Sequence, residues 1–338
     1  MKLIKMTQAM NIPTLLVPEA IGNKALKTLS DLRKAIKVQG VFDRSLFIKV
    51  GSKDLICVMR DRDFISPISI LLNGSEDRGF KSFGIKESMK IEISDGALNI
   101  DKILTIKYKN SHVWLPPPPP KKNTIVDLAY ISLNLRMFRD VIYTAPSREG
   151  LVPLLENVEL YGSLKLYLEP QEPTVSERAR PHIDLLMRGL FEGDFSMAIA
   201  GASSILGLGP GLTPSCDDFL AGLILSLKIG GNALLRKQKS ALSFYERVSS
   251  EIYREAKEKT TIYSQSFLNE ARHGEGPFAM VELVYSLMTK DVHQIPAVAK
   301  TAIKMGETSG ADFAIGIYFG IRFLVSIVEM IEGLDEFS

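Results

Sequence analysis

The sequence predicts an α+β protein in which a β-rich N-terminal domain is followed by an all-α C-terminal helical domain. Short β-branched or alternating segments, separated by turn signals, fill the first hundred residues. Helical patterns dominate after residue 173, and a run of five prolines at residues 116–120 lies between the two regions. A length of 338 residues suits two domains at roughly 150 residues each.

The β-rich region contains several segments with the composition of strands. We predict strands at residues 46–50, 55–59, 68–72, 90–93 and 102–107. A helix is predicted before them, over residues 22–38, because its leucines and Ile36 share one helical face. Turn signals such as Asp95-Gly96 and the short spacing of the strands favour an antiparallel sheet or small barrel over βαβ units.

The proline run marks the end of the first domain. Five consecutive prolines provide no backbone N–H, so residues 116–120 are predicted to form a stiff polyproline II segment. A rigid spacer is the favoured interpretation, and a ligand for a partner's aromatic groove is the alternative. The predicted organisation is a β-rich domain over 1–120, connecting helices over 121–175 and an all-α domain over 176–338.

Hydrophobic periodicity predicts helices in the rest of the chain. Connecting helical segments are predicted at 125–142 and 147–158, followed by a short apolar segment at 164–168. The predicted helices of the C-terminal domain are 176–190, 194–206, 215–229, 232–259, 262–272, 277–288, 292–305 and 309–331. Several are apolar on all sides, which places them inside the domain.

Composition excludes several classes of protein. Lys and Arg number 41 and Asp and Glu number 39, so the net charge of +2 excludes a protein built mainly to coat nucleic acid or an anionic membrane. The two cysteines, Cys57 and Cys216, form neither a disulfide framework nor a zinc motif, which indicates a reducing compartment. We find no signal peptide and no uninterrupted apolar run of about 18 residues, so a cytoplasmic location is expected.

Residues 207–222 form the most informative segment of the chain. Glycines at 207, 209 and 211 leave the backbone bare immediately before a predicted helix, whose start is supplied by Thr213 with Pro214 or by a Ser215/Asp218 capping box. A bare loop that leads into a helix N-terminus presents free N–H groups and can hold an anion. The segment matches neither a Walker loop nor a dinucleotide-binding fingerprint.

A second segment repeats the end of the first. Residues 215–223 and 309–317 both read Ser-x-x-Asp-Phe-x-x-Gly-aliphatic. The repeat predicts two helices that cross closely at their glycines, with both N-termini at one site and with Asp218 near Asp312. Asp217 points about 100° away from Asp218 on the helix. It is a candidate to bind a metal or water, or to complement the helix dipole.

Further candidates lie at the ends of the next predicted helix. Arg272 and His273 stand at its C-terminus, where they either complement the helix dipole or bind an anionic substrate. A polar cluster at its start either caps the helix or faces the same pocket: Thr260, Thr261, Ser264 and Gln265.

The segment 207–222, together with Met305-Gly306-Glu-Thr-Ser-Gly-Ala-Asp312, resembles the signature of a largely uncharacterised family. That family includes the AllH-type subunit of oxamate carbamoyltransferase, from anaerobic allantoin degradation, a route of purine catabolism. The resemblance is strongest over residues 176–330. Cys216 departs from the family's Pro-Ser-Gly-Asp-Asp run, where a glycine is expected.

The resemblance implies a transferase subunit that, with other subunits, moves a carbamoyl group between phosphate and the amide nitrogen of oxamate. A small anionic substrate is implied, with no cofactor, and an oligomer is left open. The candidate substrate-binding residues are Gly207, Gly209, Gly211, Thr213, Ser215, Ser309 and Arg272. The candidate catalytic residues are Asp217, Asp218, Asp312 and His273.

Two other classes stay open at this point. A Mg²⁺-dependent hydrolase would gather the metal on Asp217, Asp218 and Asp312, since helix-borne aspartates suit that hard cation. A non-catalytic scaffold would need the glycines only for close helix packing. No nucleic-acid or membrane partner is expected.

Overall fold

A computed structural model describes residues 13–31, 35–73, 78–145, 149–155 and 173–335. The chain divides into two compact units, Met1–Pro116 and Pro117–Ser338. The first is rich in strands and the second is helical, which confirms the predicted α+β class. Residues 116–120 carry neither helix nor strand.

The first unit contains two mixed sheets. One has four strands in the order β1-β9-β8-β7, and the other has six in the order β10-β2-β6-β5-β4-β3. The strands are β1 (Thr14–Leu16), β2 (Pro18–Gly22), β3 (Ile36–Val41), β4 (Ser45–Val50), β5 (Asp54–Met59), β6 (Ser69–Leu72), β7 (Ile91–Ser94), β8 (Ala97–Ile100), β9 (Leu104–Lys107) and β10 (His112–Trp114). A short helix, α1 (Asn23–Leu29), follows β2.

Alternation along the strands builds the core of this unit. In β4, Leu46, Ile48 and Val50 are fully buried, while the residues between them are partly exposed. This period-2 pattern buries one face of the sheet. The Asp95-Gly96 turn between β7 and β8 has positive φ angles of 47° and 71°, as a tight hairpin requires.

Three sequence-based expectations about this unit need correction. The helix predicted over 22–38 ends at Leu29, and residues 36–41 form β3, because their alternating burial overrides the helical spacing of the leucines. The sheets are not purely antiparallel, since β1–β9, β2–β10 and β5–β6 are parallel pairs. All five predicted strands fall on observed ones, but β1, β2, β3, β8 and β10 were not predicted.

The second unit is built from helices. They are α2 (Leu128–Ile142), α3 (Val175–Glu192), α4 (Phe195–Ile205), α5 (Ser215–Leu234), α6 (Lys239–Lys259), α7 (Ile262–Ala271), α8 (Phe278–Thr289), α9 (Ile295–Ala302) and α10 (Ser309–Asp335). The helix predicted over 232–259 is interrupted between Leu234 and Lys239. Within the segment predicted at 147–158, a 3₁₀ turn covers Val152–Leu155, and residues 146–148 and 156–172 lie outside the described part.

Helices α5 and α10 form the centre of this unit and cross at two glycines. A Cβ placed on Gly222 would lie 2.1 Å from the carbonyl oxygen of Phe313, and one on Gly316 would lie 2.0 Å from the carbonyl oxygen of Phe219. The backbones are therefore in direct contact, which confirms the crossing that the repeated motif predicted. Each glycine is seven residues from the start of its helix, about 10 Å along the axis.

Among the described residues, α10 is the one helix long and apolar enough to cross a membrane by length and composition. Of its most apolar 18-residue stretch, 61% is buried inside the protein. This is the environment of a core helix.

We predict that Gly316→Ala lowers the free energy of unfolding by about 2–3 kcal/mol, because the added methyl group must push two packed backbones apart. Gly333→Ala in the same helix is the matched control. A Cβ there meets nothing within 4 Å, so this substitution should stabilise by up to about 1 kcal/mol. Urea unfolding followed by circular dichroism at 222 nm measures both. Equal stability of the two variants would contradict the close crossing.

Candidate functional site

The glycine-rich loop between α4 and α5 folds back over the start of α5. Gly207, Gly209 and Gly211 have φ angles of 77°, 127° and 90°, which L side chains rarely adopt. A Cβ on Gly209 would lie 2.6 Å from the backbone nitrogen of Ser215. The Cys216 N–H donates to the carbonyl of Leu208 at 3.1 Å, so the loop and the first turn of the helix are held together.

The Asp217 side chain holds the glycine-rich loop in place by hydrogen bonds. Its Oδ1 accepts a hydrogen bond from the Gly207 N–H at 2.8 Å, and its Oδ2 accepts one from the Thr260 hydroxyl. Burial raises the pKa of Asp217, and these two hydrogen bonds together with the Ser264 hydroxyl oppose that rise. Both oxygens are occupied by the protein itself, so Asp217 acts as a positioning residue.

The junction between α6 and α7 supports the same loop. The Thr261 hydroxyl donates to the carbonyl of Leu212 at 2.5 Å and accepts from the Ser264 N–H at 3.2 Å. The Gln265 side chain donates to the carbonyl of Thr260 at 2.9 Å. The polar cluster predicted at residues 260–265 therefore caps α7 and holds the loop at the same time.

The start of α5 differs from the predicted capping box. The helix begins at Ser215, its N-cap residue is Pro214, and no side chain caps it. The Ser215 hydroxyl is buried and has no hydrogen-bond partner. The capping role assigned to Ser215 and Asp218 is therefore wrong, since neither side chain turns back to the backbone.

Asp218 is buried without a partner for either carboxylate oxygen. Burial raises the pKa of Asp218 well above its ordinary value, and the nearby charge of Asp312 adds to the rise. The hydroxyls of Ser309 and Thr213 act in the opposite direction. These two hydroxyls hydrogen-bond to each other at 2.9 Å, which joins the loop before α5 to the start of α10.

Asp312, in the first turn of α10, lies near Asp218. Its Oδ1 accepts a hydrogen bond from the Leu151 N–H at 2.6 Å, whereas its Oδ2 has no partner. Burial raises the pKa of Asp312 to about 6, against the effect of Leu151 and of the Ser215 and Thr308 hydroxyls. A Cβ on Gly150 would lie 2.3 Å from Oδ1, so only glycine fits beside this carboxylate.

Gly150 and Leu151 are site residues that the sequence analysis missed. They lie more than 150 positions from Asp312 in the chain, in a segment without a motif of its own. A glycine next to an apolar run was the only signal available.

The site therefore concentrates unsatisfied polar atoms. The Ser215 hydroxyl, both oxygens of Asp218 and one oxygen of Asp312 are buried and form no hydrogen bond of normal geometry, although hydroxyl groups lie near enough to both carboxyl groups to lower their pKa values. In the described part of the chain, the backbone N–H groups of Gly209, Gly211 and Thr213 also lack protein acceptors. Buried polar atoms without partners are rare in native proteins, and a bound ligand is one reason for them. Acceptors and donors stand side by side here.

Arg272 and His273 do not lie at the aspartate site. They line a cavity of about 170 Å³ together with Lys228, which is ten residues, about 15 Å, further along α5 than Asp218. The Arg272 guanidinium stacks over the ring of Tyr253, 4.8 Å from its centroid, and donates to Asn269 at 2.9 Å. The structure does not bring these two residues to the aspartate cluster.

The residues that the structure describes include no group of three or more His, Cys, Asp or Glu side chains placed to hold a metal ion. Asp217 in particular already uses both oxygens. The geometry thus gives no support to a magnesium site on the three aspartates.

One comparison with known protein families finds a match over part of the helical unit. The family model for the oxamate carbamoyltransferase subunit AllH matches residues 205–321, which include the glycine-rich loop, the crossing glycines and all three aspartates. This match confirms the resemblance over that segment. No solved structure matches the chain.

We predict that Asp218→Asn raises the free energy of unfolding at pH 7, because burial disfavours the ionised form of the Asp218 carboxyl and asparagine carries no charge. Asp217→Ala is the contrasting variant on the neighbouring residue. It should lower the free energy of unfolding by about 2 kcal/mol, because it leaves the Gly207 N–H and the Thr260 hydroxyl without their acceptor. Urea unfolding of both variants measures the difference, and destabilisation by Asp218→Asn would contradict the description of its environment.

We predict a pH dependence of stability that Asp312 carries. The folded state binds the Asp312 proton more tightly than the unfolded state, so its stabilising effect is full below pH 3.8 and is lost as the pH rises through about 6. The loss amounts to about 3 kcal/mol for a pKa difference of about two units. Unfolding of the wild type and of Asp312→Asn between pH 4 and pH 7 isolates this contribution. Parallel pH profiles would contradict it.

Proposed function

We propose that the helical unit binds a small carbamoyl-bearing anion at the joined N-termini of α5 and α10, as a subunit of an oxamate carbamoyltransferase or of a related enzyme. The observation that carries the proposal is the set of buried, unpartnered polar atoms on Ser215, Asp218 and Asp312. The similarity of residues 205–321 to the AllH subunit supports the same class of reaction.

The arrangement of donors and acceptors fits such a ligand. The carboxylate or phosphate end would accept hydrogen bonds from the loop N–H groups at Gly209, Gly211 and Thr213, which also lie at the positive end of the α5 dipole. The carboxyl oxygens of Asp218 and Asp312 repel negative charge, so the part of the ligand next to them must be a hydrogen-bond donor such as N–H. The NH₂ of a carbamoyl or amide group supplies those donors. A ligand with an anionic end and an N–H-rich end therefore complements the whole site.

The two carboxyl groups also suit the proton transfer. When an amide nitrogen attacks the carbonyl carbon of carbamoyl phosphate, a C–N bond forms, phosphate leaves with its bonding electrons, and the nitrogen loses a proton. Asp218 or Asp312 would accept that proton. Close, buried carboxyl groups do not ionise together easily, so one of them stays protonated and can donate to the developing negative charge.

The remaining predicted residues take supporting roles in this proposal. Gly207 and Asp217 hold the loop in shape. Thr213 and Ser309 form a hydrogen bond with each other, and their hydroxyls lie between the starts of the two helices. Arg272 and His273 have no part in it, because they line the separate cavity.

A purely structural role for the motif explains less. Close packing accounts for Gly222 and Gly316, whose missing side chains let the helices touch. It does not account for four buried polar atoms without partners, since apolar residues at those positions would be more stable.

The wider setting follows from the same proposal. The name of the matching family describes a subunit, and we infer that this chain works with other subunits of a transferase. Cys57 and Cys216 are both free and buried, which fits a cytoplasmic location.

The test is thermal unfolding of the purified chain with oxalurate, oxamate or carbamoyl phosphate, each with Mg²⁺ and with EDTA. A bound ligand at 100 times its Kd stabilises by about 2.7 kcal/mol, so the wild type should show a clear rise in Tm that does not depend on Mg²⁺. Asp218→Asn should abolish the rise. Ser226→Ala, a buried serine further along α5, should keep it.

Three outcomes count against the proposal. Equal stabilisation of Asp218→Asn and wild type would remove the aspartate from the site. A rise in Tm that needs Mg²⁺ would favour the hydrolase. No rise with any of the three compounds would contradict binding of such a ligand by this chain.

A further inference from the structure

A second cavity lies between α2 and α10, on residues that the proposed function does not use. Its volume is about 380 Å³, within the range of small-molecule sites. Arg136 and Arg139 line it from α2, one helical turn apart, and Arg322 lines it from α10. Leu135 and Val325 add apolar surface.

Among the described residues that line this cavity, positive charge is in excess. Its lining includes three arginines and one carboxylate, that of Glu329. In the part of the chain described, neither Arg136 nor Arg322 has a carboxylate partner. Arg139 has only its neighbour Asp140, at 3.4 Å on the exposed surface, and such pairs stabilise little.

The position of Arg322 is also unusual. It is the one charged residue of α10 between Asp312 and Glu329, a stretch that is otherwise apolar or small and polar. Tyr318, one turn earlier, is buried and packs edge-to-face against Phe138. The exposed Arg322 side chain therefore projects from a well-packed helix and lines the same cavity as two arginines on a second helix.

We propose that this cavity is a binding site for the phosphoryl group of a small phosphorylated molecule. Three guanidinium groups from two helices can donate to the three terminal oxygens of a phosphoryl dianion, and Ser132 adds a hydroxyl. The net charge of +2 among the lining residues balances the charge of −2 on the dianion. The apolar wall of Leu135 and Val325 suits an uncharged body attached to it.

An acidic segment of a partner protein is the rival occupant. The exposed side chain of Tyr130 on the same helix would suit such a partner. However, Tyr130 lies outside the cavity lining, whereas the arginines line a concave space. The small ligand is therefore favoured.

The probe is phenyl phosphate, a phosphoryl dianion on an uncharged apolar body, titrated calorimetrically into the full chain at constant ionic strength. Arg322→Gln should weaken binding at least about tenfold, because a charge-assisted hydrogen bond is lost. Arg188→Gln removes the same charge from an exposed site on α3 and should leave binding unchanged. Asp218→Asn should also leave it unchanged, which separates this cavity from the site at the helix N-termini.

Amide hydrogen exchange locates the bound probe independently. Protection is expected in residues 132–139 and 318–329, which line the cavity. Equal weakening by Arg322→Gln and Arg188→Gln would reveal unspecific ion binding and overturn the proposal. Absence of phenyl phosphate binding to the wild type would also overturn it and would favour the acidic segment of a partner protein as the occupant.

Discussion

The contact between the backbones of α5 and α10 is the constraint on which the rest of the helical unit depends. Because Gly222 and Gly316 carry no side chains, each helix packs directly on a carbonyl group of the other. That contact lies seven residues from both helix starts and brings Asp218 and Asp312 close enough for their charges to interact. The glycine-rich loop and the Leu151 segment then dock against these starts.

The same packing creates an electrostatic cost. A core that excludes water around three carboxyl groups raises their pKa values, and of the three only Asp217 accepts hydrogen bonds on both oxygens. The fold thus tolerates an unfavourable environment at Asp218 while it satisfies the neighbouring residue completely. Buried polar groups that lower stability in this way are typical of functional sites, where the residue type is selected for ligand binding and not for stability.

The sequence was sufficient for the features that depend on local pattern. Most helices of the second unit, the turn at Asp95-Gly96 and the crossing of α5 and α10 follow from periodicity, from turn signals or from a repeated motif. What failed depends on distant contacts. The spacing that predicted a helix extends into residues 36–41, and it is the pairing with β4 that makes them a strand. Nothing near Gly150 indicates that its missing side chain makes room for Asp312. Long-range packing decides such positions, and a single sequence does not reveal it.

The reciprocal contacts of the two glycines give the centre of the site an approximate two-fold symmetry. Gly222 faces the carbonyl of Phe313 and the nitrogen of Ile317, and Gly316 faces the equivalent groups of Phe219 and Leu223. The additions to this symmetric pair differ, since the glycine-rich loop precedes one helix and the Leu151 segment covers the other. Two equivalent aspartates therefore occupy inequivalent surroundings, and a ligand that bound between them as we propose would have one preferred direction.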